Sequence, residues 1–140
     1  MSKEILFKAK RKNWRELPVE EWWVEGHYHH QTDYYGVKCD KHYIIDGTQT
    51  DMEGYGEHIE ICPETICQYT GLQEYAEKDI VKRTDLHKVG EPSIGIIEYD
   101  EENTAFVIHW IDNPKYSPMY PWKDKIEIIG NIFDNPELLE

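Results

Sequence analysis

Polar and apolar side chains alternate with a period of two along much of this chain, the signature of half-buried β-strands. In "ILFKAK", residues 5–10, Ile5, Phe7 and Ala9 fall on one side of an extended backbone and Leu6, Lys8 and Lys10 on the other. "EWWVEGHYHH" alternates with aromatic residues from Trp22 to His30, and "YYGVK", "KHYIID" and "HIEIC" read as further short strands. "DGTQTDMEGYGE", rich in Gly, Asp and Thr, reads as a long mobile loop. In the second half "KDIVKRT" predicts a strand, and "SIGIIEYD", "EEN" and "TAFVIHW" predict a hairpin around a polar turn. "NPKYSPMYPW" has three prolines and is unsuited to a central strand. "KIEIIGNIF" is apolar on both faces, with Ile126, Ile128 and Ile132 on one and Ile129 and Phe133 on the other, which predicts a buried strand. "PETI" and the closing "NPELLE" predict single helical turns, the second with Asn135 as N-cap and Pro136 at the first position.

No apolar stripe of period 3.6 persists for ten residues, so the fold class is mainly β, with helix confined to short turns. The chain, 140 residues long, has the size of one domain, residues 1–140, with two approximate lobes at 1–66 and 67–140. A strand near residues 79–82, the hairpin and the final strand suggest a small barrel-like C-terminal lobe, packed with an N-terminal β-sheet lobe. Ten tyrosines and five tryptophans compensate for a modest 39% of hydrophobic residues, so the core is expected to be aromatic.

The charge is unevenly placed. Six of the fifteen basic side chains and one of the twenty-eight acidic ones lie in residues 1–15, leaving nine and twenty-seven for the remainder, a net of −18. Such a body repels a phosphate backbone, so no duplex DNA partner is expected. The segment "KAKRKNWR", with Trp14 available for stacking, is the one place for a local nucleic-acid contact; the simpler reading is a strand whose cations lie beside the protein's own acidic surface. Cys39, Cys62 and Cys67 cannot all pair, and no signal-like or membrane-length apolar run is present, so reduced thiols in a cytoplasmic protein, with no membrane partner, are expected.

Candidate chemistry is sparse. In "EGHYHH" an extended chain puts Glu25, His27 and His29 on one face and His30 on the other. His-x-His on a strand is a metal geometry, and Cys39 with His42 would complete a set. The alternative is a polar solvent-facing strand with small, partly buried thiols, and Cys62 and Cys67 around "PETI" lack a matching second pair. There is no nucleophile elbow and no phosphate loop. Asp79, opening a strand, is expected to bond a turn amide rather than to act as an acid or base, and His109 to be a core or interface histidine. "CQYTGL" offers Thr70 as a hydroxyl partner for backbone and Gly71 for a turn of positive φ, which reads as a structural joint before the strand at Asp79, with a recognition surface as the alternative.

"PETICQYTGL", "EKDIVK" and "IEIIGNIFDNPELLE", together with "FKAKRKNWRELPVEEWWVEGHY" and "HYIID", resemble in order the YopX-like family of phage and prophage proteins. The resemblance implies a mostly β fold, a bacterial virus or prophage as source, and neither cofactor nor assigned catalytic residue. The family pattern carries a longer polar segment after Gln-Tyr-Thr-Gly-Leu and a glycine just before Asp-Ile-Val. Here the loop over 73–78 is short and Lys78 stands at the glycine position, which suggests that the loop takes another turn.

These readings favour a non-enzymatic acidic interaction protein that self-associates or binds a host or phage protein; the alternative is a metal-dependent enzyme using the histidine-rich strand 27–30. No catalytic, cofactor or metal residue is assigned. Self-association to a homo-oligomer is expected because adjacent Trp22 and Trp23 point to opposite faces of a strand, and because "YSPMYPW" offers aromatics and a methionine at the surface.

Overall fold

Alternation becomes a strand where one face finds a core, and the computed structural model, which describes residues 5–50, 56–72, 74–85, 93–111 and 115–139, shows two such places. By its internal contacts the chain divides into two compact units, residues 1–68 and 69–140, each with its own five-stranded antiparallel sheet.

The first sheet contains β1 (Phe7–Lys10), β2 (Trp23–Tyr34), β3 (Val37–Thr50), β4 (Gly56–Glu60) and β5 (Cys67–Gln68), in the order β4-β3-β2-β1-β5. One face is apolar. Ala9, Val24, Ile44, Ile59 and Ile61 are buried there, and Phe7, Tyr28 and Ile66 pack against them. Each fully buried Ile contributes about 1.5–3 kcal/mol relative to its exposed state. The expected Phe7/Ala9 face is therefore the core face, while Ile5 stays exposed.

Two local expectations in this sheet are corrected. Tyr35 and Gly36, read as part of a strand, form a two-residue turn with φ of 50° and 82°. Positive φ at both central positions matches the right-handed twist of a hairpin, and Gly36 suits it. The Asp33 carboxylate accepts the Gly36 N–H at 2.8 Å and closes the turn. The supposed mobile loop also shrinks: residues 46–50 continue β3, with Asp46 opposite Glu57, while 51–55 lie outside the described residues.

The second sheet contains β6 (Asp79–Arg83), β7 (Ile94–Asp100), β8 (Ala105–Trp110), β9 (Lys115–Pro118) and β10 (Ile126–Asn131), in the order β10-β6-β7-β8-β9. Its core gathers Tyr75, Val81, Ile97, Ile108, Trp110, Met119 and Ile126, with Leu72, Phe106 and Trp122 against it. The expected hairpin is β7–β8, in register from Gly95↔Trp110 to Asp100↔Ala105.

The mainly β fold and its short helical turns are as the alternation predicts, but the second sheet is not a barrel. Among the described residues its edges, β9 and β10, pair only inward. β9 has four residues and ends in Pro118, which has no N–H to donate to a further strand. β10, expected to be buried, is an edge strand with Glu127 and Ile128 exposed and a bulge between Ile128 and Gly130. The proline-rich segment is an edge, as its composition requires. Met119, however, expected at the surface, is 2% exposed, while Tyr116 and Tyr120 of "YSPMYPW" are each 64% exposed. The final turn, Pro136–Leu139, forms as predicted, but the Asn135 side chain accepts the Asn131 N–H at 3.2 Å instead of capping it.

Candidate functional site

β2 and β3 extend past their neighbours. β1 pairs with residues 23–26 of β2, and β4 pairs with residues 43–46 and 50 of β3. Beyond them residues 31–34 and 37–41 have, among the described residues, ladder partners only in each other, which makes a two-stranded arm. Such a ribbon is marginal alone and relies on its side chains. At its tip Tyr34 is 60%, Tyr35 91% and Val37 66% exposed. The two tyrosine rings meet edge to face at 4.6 Å. On one face Gln31, Tyr34, Val37, Cys39, Lys41 and Tyr43 line an open groove of about 310 Å³.

The opposite face carries the polar cluster. Register from the turn pairs Tyr34 with Val37 and Asp33 with Lys38; beyond an irregularity between Gln31 and Asp33 it pairs Gln31 with Lys41 and His30 with His42. The extra residue on β3 shifts pairing by one. Without it His29, not His30, would face His42. As built, His30 and His42 stack at 4.1 Å with rings 10° apart. Asp40 Oδ1 lies 2.6 Å from His30 Nε2 and 3.2 Å from His42 Nε2. Tyr28 Oη meets His42 Nδ1 at 2.5 Å. Hydrogen bonding from His30, helped by His42, holds the Asp40 carboxyl below its usual range. Burial, with the Asp40 charge, pushes the Tyr28 phenol up. Tyr28 also belongs to the core cluster, so the polar group continues the apolar face outward.

The sequence-derived metal set does not assemble. His29 lies on the groove side, against Tyr43 and His58, and His27 is across from Ile45. Cys39 and His42 are three residues apart, an odd offset that sends them to opposite faces of a strand. Cys39 Sγ instead donates to the Gln31 carbonyl at 3.5 Å. Among the described residues, His30, Asp40 and His42 are the one group of three potential ligands. Cys62 and Cys67 are free thiols outside it, and burial pushes the Cys62 thiol up.

The basic segment is largely engaged within its own unit. Lys10, 3% exposed, puts Nζ 3.8 Å from the Trp14 ring centroid, 4.6 Å from that of Trp22 and 5.6 Å from that of Trp23. Lys12 pairs with Glu60 at 3.0 Å, Arg11 Nε donates to the Glu21 carbonyl at 2.9 Å, and Arg15 lies over Trp14. Trp14 also abuts Trp22, whose Nε1 donates to the Leu17 carbonyl. The cations therefore rest on indole rings as much as on acidic side chains. Trp22 precedes β2, and both it and Trp23 have ring contacts here, Trp22 with Trp14 and Lys10 and Trp23 with Lys8 and Lys10. Alternation puts Lys10 on the polar face with Lys8, and nothing in "KAKRK" marks it for burial.

The joint has the chemistry its residues suggest. Gly71 has φ of 84°. Thr70 Oγ1 accepts the Leu72 N–H at 3.0 Å and donates toward the Tyr75 carbonyl at 3.0 Å. Asp79, 2% exposed, accepts the Ala76 N–H at 3.0 Å, the turn amide expected for it. Lys78 does not take another turn: its φ is 70°, the left-handed region that a glycine at this position would favour. A non-glycine residue there costs about 1 kcal/mol. Its N–H donates to the Ile97 carbonyl at 2.8 Å and its carbonyl accepts the Ile132 N–H at 3.1 Å, which fixes the backbone regardless. Gly71→Val is expected to lower unfolding free energy by about 1–2 kcal/mol in urea denaturation; an unchanged midpoint would show that the positive φ is not required. His109 is half-buried, stacked on Tyr116 at 4.4 Å, with Glu98 3.3 Å from Nδ1.

Two open antiparallel sheets, with a phase change at "CQYTGL" from the last strand of one unit to the first turns of the next, define a small all-β protein. The family model described as YopX protein matches residues 7–140, and the chain belongs to that family. A comparison with curated proteins finds no match. Among the described residues no helix is long and apolar enough to cross a membrane.

Proposed function

We propose that this is a phage or prophage protein that acts in the cytoplasm of its bacterial host as a non-enzymatic, acidic interaction protein, and that its contact element is the tip of the β2–β3 arm. The observation that carries this reading is the exposure of Tyr34, Tyr35 and Val37 at the end of a ribbon that, among the described residues, has no further strand on either side. Tyrosine presents a large area at little conformational cost and is enriched where proteins meet. The partner is a second copy of the chain or a host or phage protein with a basic surface, which a formal net charge of −13 attracts. Engagement of Lys10, Arg11, Lys12 and Arg15 within the fold supports the expectation that duplex DNA is not the partner. The alternative, a metal-dependent enzyme on strand 27–30, would rest on His30 alone of that strand's histidines, because His27 and His29 join no three-ligand group among the described residues.

The test uses Tyr34→Thr with Tyr35→Asn. Asn-Gly favours the turn and Thr favours a strand, so the aromatic tip is lost while the hairpin is kept. Self-association predicts that sedimentation changes from an oligomer to a monomer. A separate partner predicts loss of a host or phage protein captured by the wild type from infected-cell lysate. A double variant that retains both the oligomer and every captured protein overturns the assignment to the arm.

A further inference from the structure

We infer that His30, Asp40 and His42 form a binding site for a divalent transition-metal ion of the zinc class, a clip across the two strands of the arm. Two imidazoles and one carboxylate come from facing strands, and their ligand atoms all lie within 4.8 Å of one another. Zinc bonds of about 2.1 Å at tetrahedral angles need ligand atoms about 3.4 Å apart. The Asp40 Oδ1 to His42 Nε2 distance of 3.2 Å is close to that spacing, and the 2.6 Å to His30 Nε2 must open by about 0.8 Å to reach it. His30 and Asp40 have the freedom to move, with side chains 41% and 79% exposed. The near-parallel rings must turn about their outer torsion so that both Nε2 lone pairs converge, and the exposed His30 makes most of that turn.

A ligating imidazole carries its proton on the other ring nitrogen and donates it to an oxygen. At His42 that oxygen is in place: Tyr28 Oη, 2.5 Å from Nδ1, anchored in the core beside Phe7. A hydroxyl can accept as well as donate, so Tyr28 fits the loaded site. In the loaded site the His42 proton therefore sits on Nδ1, directed at Tyr28 Oη. Three protein ligands leave the remaining positions to water, an open rather than a closed structural set. Imidazole with carboxylate selects zinc, cobalt or nickel over magnesium and calcium, which prefer all-oxygen shells.

This inference does not depend on what the arm's tip binds. The test is titration of chelator-treated full-length protein with cobalt(II), read by visible absorption, and with zinc(II), read by calorimetry. One ion per chain is expected. His30→Gln and Asp40→Asn, exposed positions where the fold persists, should each weaken binding at least tenfold. Tyr28→Phe should weaken it about 10–100-fold, as loss of an outer-shell partner does elsewhere. His27→Gln and His29→Gln, on the other face, should leave it unchanged. Circular dichroism confirms that each variant is folded. Equal affinity in the wild type and in a His30→Gln, Asp40→Asn double variant overturns the site, as does loss of the ion on substitution of His27 or His29.

Discussion

Trp110→Ala is expected to lower the unfolding free energy by about 3–5 kcal/mol, the range for deleting a large aromatic side chain from a packed core. Trp110 is fully buried and lies at the centre of the second unit's apolar cluster with Val81, Ile97, Ile108 and Met119. Its ring meets Trp122 edge to face at 5.1 Å, and its Nε1 donates to Ser117 Oγ at 2.9 Å. Alanine removes the packing, the edge contact and the hydrogen bond together. The surrounding strands are tied by their ladders and cannot collapse fully on the gap, so a cavity term adds to the transfer term. A domain of this kind has about 5–15 kcal/mol in all, and the loss takes a large share of it. Trp110→Phe keeps much of the packing and leaves Ser117 without its indole donor, so its cost should be smaller. Urea denaturation followed by circular dichroism measures both. A cost below about 1 kcal/mol for the alanine variant would mean that Trp110 is not the keystone the packing makes it.

Lys10→Glu is expected to cost about 3 kcal/mol or more, the order for placing an uncompensated charge in a buried position. The ammonium sits over the electron-rich faces of Trp14 and Trp22, a contact that reaches about 2 kcal/mol when water is excluded. A carboxylate in that place meets the same faces with the repulsive sign. Lys10→Met separates charge from packing, since it keeps an apolar stem and removes only the cation; a loss of about 1–2 kcal/mol is expected. The difference between the Met and Glu variants in denaturation midpoint reports the sign of the electrostatics. Equal midpoints for Lys10→Glu and Lys10→Met would show that the stem, and not the ammonium, holds the three indoles.

What was legible in the sequence was what depends on neighbours along the chain. The β7–β8 hairpin, β6 at Asp79, the turn at Pro63, the positive φ at Gly71 and the edge position of the proline-rich strand all follow from local rules of alternation and backbone geometry. The candidate site is different in kind. Alternation put His27 and His29 on one face and His30 on the other, which is correct, yet it does not say which face meets His42. That depends on a turn at Tyr35-Gly36, where a tyrosine holds a left-handed conformation usually given to Asn or Asp, and on one irregular residue in the ladder. Both are tertiary choices among near-equal registers. The Lys10 cage was hidden for a related reason: Trp14 and Trp22 reach the lysine from short turns before β2, where a period of two has no meaning.

The backbone bond from Thr70 N–H to the Tyr75 carbonyl, 2.9 Å, and the bridge from Tyr69 to Ala76 just outside it pin both ends of the short stretch between them. An excursion closed at its neck is insulated from the strand that follows, so extra residues inserted there leave the register of β6 alone. The entropy of closing such an excursion grows only logarithmically, about 0.6 kcal/mol for each doubling of length. Length at this place can therefore change at small cost, and a variant with polar residues inserted after Leu72 should keep the joint and the strand at Asp79.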